Sequence, residues 1–396
     1  MHADSQASVS HVDEESFAQM MDAIERFVRE DLIPREQEVE DTDRVPDEII
    51  EAMKAQGFFG LSIAPEYGGS GLSAEQQARF QMAISLSSPA FRYVYSSNLG
   101  IGSRAISLDG TPEQKAEFLP RLASGELIGA FALTEPSAGS DAGSLKTRAD
   151  RDGDHYVLNG TKRFITNAPR ADVFTVMART DQSKPGASGV SAFIVDRNTP
   201  GLTVGKPEKK MGHRGSQIAD VIFENVRVPA ERLIGGEEGR GFRTAMKTLD
   251  HGRINIAAMG VGMAQRLLDE AVAYAGERQQ FGKAIIDFQL IQGMLADSET
   301  EIQAARAMTL AAARQLDLTR TAVKEAAAAK YFASEMLCRV ADRVVQVFGG
   351  AGYVADYPIE RMYRDARLLR LYEGTSQILQ IVIARAIGSE RGIRVA

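Results

Sequence analysis

Cysteine is nearly absent: Cys338 is the only one in 396 residues. A disulfide framework within one chain is therefore excluded, and a reducing, cytosol-like compartment fits. Histidine is scarce. His2, His11, His155, His213 and His251 are the whole set, and no two stand at metal-ligand spacing. A zinc site has no support, and no metal is expected. No apolar run approaches the roughly 18 residues of a membrane span, so none is expected. There is no basic stripe; the net charge is −7 with both signs interspersed. Nucleic acid is thus a poor partner, although a local arginine cluster could still hold an anionic small molecule. Residues 1–15 lack an apolar signal core and are acidic, and no arginine precedes Arg26. They read as a short disordered lead-in rather than a mitochondrial transit peptide, so a cytoplasmic, bacterial setting is expected. Walker A, GxSxG and HExxH motifs are all missing, which thins the field of NTPases, hydrolases and metalloproteases.

What is present divides into three stretches, and the length suits two or three domains. Residues 16–129 are helical in pattern. Phe17, Met20, Met21, Ile24, Phe27 and Val28 form one apolar stripe at spacings of three and four. Ser73 with Gln76 reads as a capping box. Thr111, Pro112 and Gln114 read as an N-cap, a first-turn proline and a capping partner. Residues 130–238 change character. Short β-prone runs at 156–158, 173–178, 190–195 and 221–223 are separated by turn clusters at 151–154, 159–160 and 184–186. Strands without helices between them suggest a small barrel or sandwich. Residues 239–396 are helical again, with Phe332, Met336, Leu337, Val340, Val344, Val347 and Phe348 on one stripe. The fold class is α+β, mostly α: an N-terminal helical domain, a middle β-barrel or sandwich domain, and a C-terminal four-helix bundle.

Six segments could carry chemistry. Residues 100–105 match G-x-G-x-x-A, but a dinucleotide fingerprint needs a preceding strand, and the surroundings here are helical. Residues 132–141 (ALTEPSAGSD) put small and hydroxylated residues at a turn. Such a backbone can approach a flat cofactor or a pyrophosphate, with Thr134 and Ser140 as donors; a plain Pro/Gly turn reads as well. In residues 158–167 (LNGTKRFITN), Asn159-Gly160 is a hairpin signal. Phe164 and Thr166 then share one strand face, where a ring could stack and a hydroxyl could bond a ring nitrogen; core packing is the plainer alternative. Residues 277–289 hold Arg278 on what could be a solvated face. Residues 346–353 (QVFGGAGY) end a helical stripe in glycines, as helix C-caps do. In residues 363–379, Glu373 follows Leu371 and Tyr372 and precedes Gly374. An apolar flank raises a glutamate from about 4.3 toward the range where a general base works near neutral pH. A surface carboxylate at a helix N-terminus is the competing reading.

Together, and in this order, the segments resemble the FAD-dependent acyl-CoA dehydrogenase family over nearly the whole chain, residues 17–385. The resemblance implies the same three-part fold. It implies that Phe131, Leu133, Thr134, Gly139 and Ser140 line the flavin or its diphosphate. Phe164, Ile165 and Thr166 would meet the isoalloxazine ring, Phe164 standing where many relatives have tryptophan. Arg278, Gln280, Phe281 and Gln289 would reach the FAD of a neighbouring subunit, as would Gln346, Val347, Gly349 and Gly350. Thr375 and Gln377 would be further FAD contacts. Ser140, Asp250, Arg253 and Gly374 would contact the CoA thioester. A cofactor shared between subunits implies an oligomer, a homotetramer built as a dimer of dimers. Some members, such as isovaleryl-CoA dehydrogenases, carry their base on the helix just before the arginine of residues 249–254. That position here is Gly252, which leaves Glu373.

The reaction so implied is α,β-dehydrogenation of an acyl-CoA to the trans-2-enoyl-CoA. Glu373 would take the pro-R α-proton and flavin N5 the β-hydrogen as hydride, with electrons passing to electron-transfer flavoprotein. The Glu373 N–H and a flavin ribityl hydroxyl would stabilise the thioester oxygen. Three alternatives stand beside it: an oxidase or monooxygenase on the same fold, a decarboxylating glutaryl-CoA-type enzyme, and a catalytically silent FAD-stabilised assembly protein. The glutaryl type needs an arginine in the acyl pocket. Tyr95, Ser96 and Ser97 fall near that pocket, and Arg92 lies a turn away.

Overall fold

A computed structural model describes residues 12–184 and 186–395. Most of the expected lead-in, residues 1–11, and Pro185 of the 184–186 turn lie outside the described residues. The first helix begins at Glu14, two residues before the expected boundary. The Asp13 carboxylate caps it, accepting from the Ser16 N–H at 2.8 Å.

Among the described residues the N-terminal part holds seven α-helices: α1 (Glu14–Phe27), α2 (Glu36–Thr42), α3 (Asp47–Ala55), α4 (Ala74–Ile84), α5 (Pro89–Leu99), α6 (Arg104–Asp109) and α7 (Pro112–Ala123). Phe17, Ile24, Phe27 and Val28 are buried, with Met20 and Met21 packed against them. Both expected capping boxes form, Ser73 with Gln76 and Thr111 with Gln114. At the centre, Phe58 meets Phe80 and Tyr95 edge-on, with ring centroids 5.1 and 5.5 Å away. The 100–105 segment is the turn from α5 into α6, with no strand before it.

The middle part is a curled seven-stranded mixed sheet in the order β1-β4-β2-β3-β7-β6, with β5 on the other side of β4. Its strands are β1 (Gly129–Ala132), β2 (Arg148–Asp152), β3 (His155–Thr166), β4 (Val173–Arg179), β5 (Val190–Asp196), β6 (Leu202–Val204) and β7 (Ile218–Pro229). Both faces of β4 are covered. Phe174, Val176 and Ala178 enter one core, while Val173 and Met177 enter another shared with α6 and α7. That is why β4 reads as a continuous apolar run.

One expectation fails here. Asn159-Gly160 is not a hairpin turn but lies inside the twelve-residue β3. The chain reverses instead at Gly153, between Asp152 and His155. Gly160 has φ 151°, and a Cβ there would run into Thr147, the residue just before β2. Asn159 uses its side-chain oxygen to accept from the Asn225 N–H at 2.8 Å. The glycine thus serves a bulge and a close strand crossing rather than a turn.

The C-terminal part is a bundle of four long helices, α8 (Gly241–Glu277), α9 (Gln289–Thr319), α10 (Val323–Phe348) and α12 (Ser376–Glu390), with short α11 (Ile359–Ala366). A two-strand ribbon, β8 (Gln279–Gln280) and β9 (Lys283–Ala284), links α8 to α9. The α10 stripe is buried as its spacing predicts, and its alanines allow close packing on α8. Ala74, Ala78, Met82 and Tyr93 join this core, so the N-terminal helices and the bundle share an interior. Among the described residues no helix is long and apolar enough to cross a membrane.

Candidate functional site

Glu373 lies in the turn between α11 and α12, two residues before the N-cap Thr375. Its backbone is left-handed at φ 51°, followed by Gly374 at φ 94°. For a glutamate that conformation is strained and must be held by its surroundings. The side chain turns inward. Its Oε2 is buried and has no hydrogen-bond partner, and its N–H donates to nothing among the described residues. Burial pushes the carboxyl above its ordinary range, against the pull of Arg92, Lys330 and Arg253. The surface-carboxylate reading does not fit such a group.

The carboxylate lies directly over Gly252 of α8. A Cβ at that position would overlap Glu373 Oε2. The two candidate base positions, far apart in sequence, are therefore neighbours in space, and only one can carry a side chain without rearrangement. One residue on, Arg253 pairs with Asp250 at 2.8 Å, both largely buried.

Hydrogen bonds link the 132–141 loop to β3, and β3 through α5 to the turn of Glu373. Arg163 N–H donates to the Thr134 carbonyl at 2.8 Å, joining the 132–141 loop to β3. Asn167, just past Thr166, donates from Nδ2 to the Tyr93 carbonyl at 2.7 Å. Tyr93 hydroxyl then donates to Tyr372 hydroxyl at 2.9 Å, beside Glu373. Phe164 and Thr166 share a face, but through a bulge between Lys162 and Ile165 rather than plain alternation. Phe164 has φ 58°, stands 52% exposed, and carries the Arg163 guanidinium 4.8 Å above its ring. An exposed aromatic on a strained, bulged strand is poor core packing and a ready stacking platform.

Beneath the loop lies a buried ion pair. Lys162 donates to Glu135 at 2.7 Å and to the Leu133 carbonyl at 3.1 Å. Glu135 also accepts from the N–H groups of Lys146 and Thr147. The pair holds residues 133–135 against the sheet. Removing one partner of such a pair costs about 3–5 kcal/mol. Glu135→Gln is expected to lower the melting temperature and the flavin content of the purified protein together. Unchanged thermal unfolding with full flavin content would show the pair to be dispensable.

The residues present suit a flat, phosphorylated cofactor. Hydroxyls of Thr134, Ser140 and Thr166 make no hydrogen bonds among the described residues, and a Cβ at Gly139 would meet open space. Phe131 and Leu133 are almost fully buried beside the loop. Ile165 and Val347 turn their side chains into hydrophobic cores, so what they offer a ligand is backbone. Arg278, Gln280, Phe281 and Gln289 are not brought to Glu373 within one chain. They lie at an exposed corner, with Phe281 93% exposed on the tip of the β8–β9 ribbon. Gln346, Gly349 and Gly350 are likewise exposed at the end of α10, and Gln377 on α12.

Three residues at the site drew little or no notice in the sequence: Arg92, Tyr93 and Lys330. Arg92 is 7% exposed and has no hydrogen bond or ion pair among the described residues. A charged residue inside α5 and a lysine on the alanine stripe of α10 were the available signals. In a charged cleft elsewhere, around Glu40, Arg214 and Arg361, Arg214 donates to the Asp41 carbonyl at 3.3 Å and the other two are ion-paired. Arg361 pairs with Glu36 and Arg364 with Glu40, each at 2.8 Å.

Family models match along the chain: acyl-CoA dehydrogenase N-terminal domain over residues 14–126, middle domain over 130–226 and C-terminal domain over 239–388. A 3-(aryl)acrylate reductase of Clostridium sporogenes is 46% identical over 359 residues, which is 90% of this chain and 94% of that protein. Subunit CarC of the caffeyl-CoA reductase-Etf complex of Acetobacterium woodii is 46% identical over 88% of this chain and 91% of its own length. The solved structure of butyryl-CoA dehydrogenase from Megasphaera elsdenii superposes with a TM-score of 0.91 at 38% identity, covering 95% of this chain and 98% of that one.

Proposed function

The chain belongs to the acyl-CoA dehydrogenase family, and on that premise we propose that it dehydrogenates an acyl-CoA between its α and β carbons, with Glu373 as the base. The observation that carries this reading is the half-buried Glu373, whose Oε2 is buried without a partner and whose carboxylate faces three cations yet bonds none. A carboxylate that satisfied a structural partner would have to give it up before taking a proton; this one does not. Its free N–H, on the same residue, can donate to a thioester oxygen, where charge develops as the α-proton leaves.

FAD is the cofactor in this reading, and when bound it supplies two-electron acceptance. Thr134, Ser140 and Thr166 would donate to it and Phe164 would stack on it. Thr375 and Gln377 would complete the contacts beyond the base. Asp250 and Arg253, with Ser140 and Gly374, would hold the CoA portion. The exposed corner at Arg278–Gln289 and the 346–350 segment would complete the site of a second copy, consistent with a tetramer. Division of the chain at 129/130 and 238/239, and a cytoplasmic location, belong to the same reading. Electron-transfer flavoprotein is the proposed electron partner, consistent with the Etf association in the name of the Acetobacterium relative. Two relatives are named reductases, and by microscopic reversibility the same residues serve 2-enoyl reduction with Glu373 protonated.

Arg92 favours a second reading of the substrate. A buried guanidinium without an anion is costly, and a carboxylate on the far end of an acyl group would relieve it. That is the requirement of the glutaryl-CoA type. The test is an anaerobic panel of straight, branched, aromatic and ω-carboxylated thioesters, with flavin bleaching and CO2 release as readouts. Bleaching by acyl-CoA is expected. Retained flavin with no bleaching across the panel would favour a silent assembly protein, and a peroxide burst in air an oxidase. If an ω-carboxylated thioester is preferred, Arg92→Met is expected to remove that preference, roughly 10²-fold. No preference and no CO2 would discard the decarboxylating reading and leave the dehydrogenase.

A further inference from the structure

The turn that carries Glu373 is gripped from one side by a buried lysine for which the proposed chemistry has no other use. We propose that Lys330 is a positioning residue for Glu373, clamping the turn that carries it through the Gly374 carbonyl. This rests on the reading of Glu373 as the base.

Lys330 is fully buried, with 0% exposure. Its Nζ donates to the Gly374 carbonyl at 2.7 Å, and it forms no ion pair among the described residues. A buried lysine with a single carbonyl partner is rare, because burial penalises its charge. It occupies the alanine stripe of α10, between Ala329 and Ala333, where an apolar side chain would serve packing as well or better. The fold does not account for it; the turn does.

Glu373 and Gly374 are successive left-handed residues, and the first is not glycine. Such a turn keeps one geometry only if it is tied on both sides. Downstream, Ser376 hydroxyl donates to Glu335 of α10 at 2.5 Å, a carboxylate that also accepts from Arg370 at 2.8 Å. Upstream, Tyr372 is joined to Tyr93 of α5. Lys330 is the tie at the turn itself. The backbone is thereby fixed while the carboxylate stays unbonded.

The charged groups facing Glu373 come from three helices: Arg92 from α5, Arg253 from α8 and Lys330 from α10. All three oppose the burial that would otherwise protonate it. Arg253 is already paired with Asp250. Lys330 itself faces the carboxylates of Glu373 and Glu335 and the cation Arg253; burial first, and Arg253 with it, draw it down to about 8, still protonated at neutral pH. Removing a cation from this set raises the carboxyl further. The base must be ionised to accept a proton, so the acid limb of the rate should move to higher pH.

The experiment uses holoenzyme in anaerobic stopped flow, with the thioester that bleaches wild-type flavin fastest, across a pH series. In Lys330→Met, flavin content and thioester affinity should stay near wild type. Flavin reduction should fall about tenfold or more, and the acid limb should shift upward. Lys330→Gln keeps a donor for Gly374 without the charge. It should recover the plateau rate to within about threefold while leaving the limb shifted. An unchanged rate and limb in Lys330→Met would overturn the assignment. So would loss of flavin from both variants, which would make Lys330 a folding residue. Glu373→Gln run alongside separates the two ideas: if it still reduces flavin, the base reading fails whatever Lys330 does.

Discussion

Glu373→Gln is expected to retain flavin and bind acyl-CoA, yet to reduce flavin slower by roughly 10²–10⁴-fold or more, the usual share of a positioned base. The amide is nearly isosteric and removes a buried charge that has no hydrogen-bond partner at Oε2, so the fold has little to lose. Wild-type enzyme should also show a rate that rises with pH through the Glu373 titration. Burial raises that pKa, so the limb lies above the ordinary carboxylate range, and the protonated form below it is inactive. The variant should have no such limb. Near-normal reduction in Glu373→Gln, measured anaerobically at saturating thioester, would move the base elsewhere.

Gly252→Ala is expected to cost about 10²-fold in flavin reduction, the scale associated with a displacement near 1 Å at a reacting centre. The added Cβ claims the space of Glu373 Oε2, so the carboxylate must move. Helix weakening cannot explain a loss, because alanine is favoured over glycine inside a helix by about 1 kcal/mol. Thermal stability should therefore hold or rise while the rate falls. A variant with the wild-type rate would show that the carboxylate has room to swing aside. Asp250 and Arg253 flank the same position, so thioester affinity should be measured with the rate to separate a moved base from a moved substrate.

Local chemistry was legible in the chain wherever a few adjacent residues decide the outcome. The capping boxes at Ser73 and Thr111 form because each needs only a hydroxyl and a glutamine three residues on. The α10 stripe is buried because one helix face sets its spacing. Asn159-Gly160 misled for the opposite reason. The same dipeptide that makes a tight turn also suits a bulge, and the choice was made by Thr147, which enters the neighbouring strand β2.

By itself the sequence determined the α, β, α order, the motif set that places the chain in its family, and the presence of one carboxylate with its rival position empty. Only the tertiary structure decided that Gly252 lies under Glu373, that Arg92, Arg253 and Lys330 surround it, and that Tyr93 ties the flavin-type strand to its turn. The physical reason is distance along the chain. Helix periodicity and capping act over a few residues, whereas the field at Glu373 comes from side chains on three helices that meet only when the cores close. Arg92 and Lys330 look like ordinary surface charges in a linear chain. Burial without a bonded ion pair is what marks them, and burial is a property of the folded molecule.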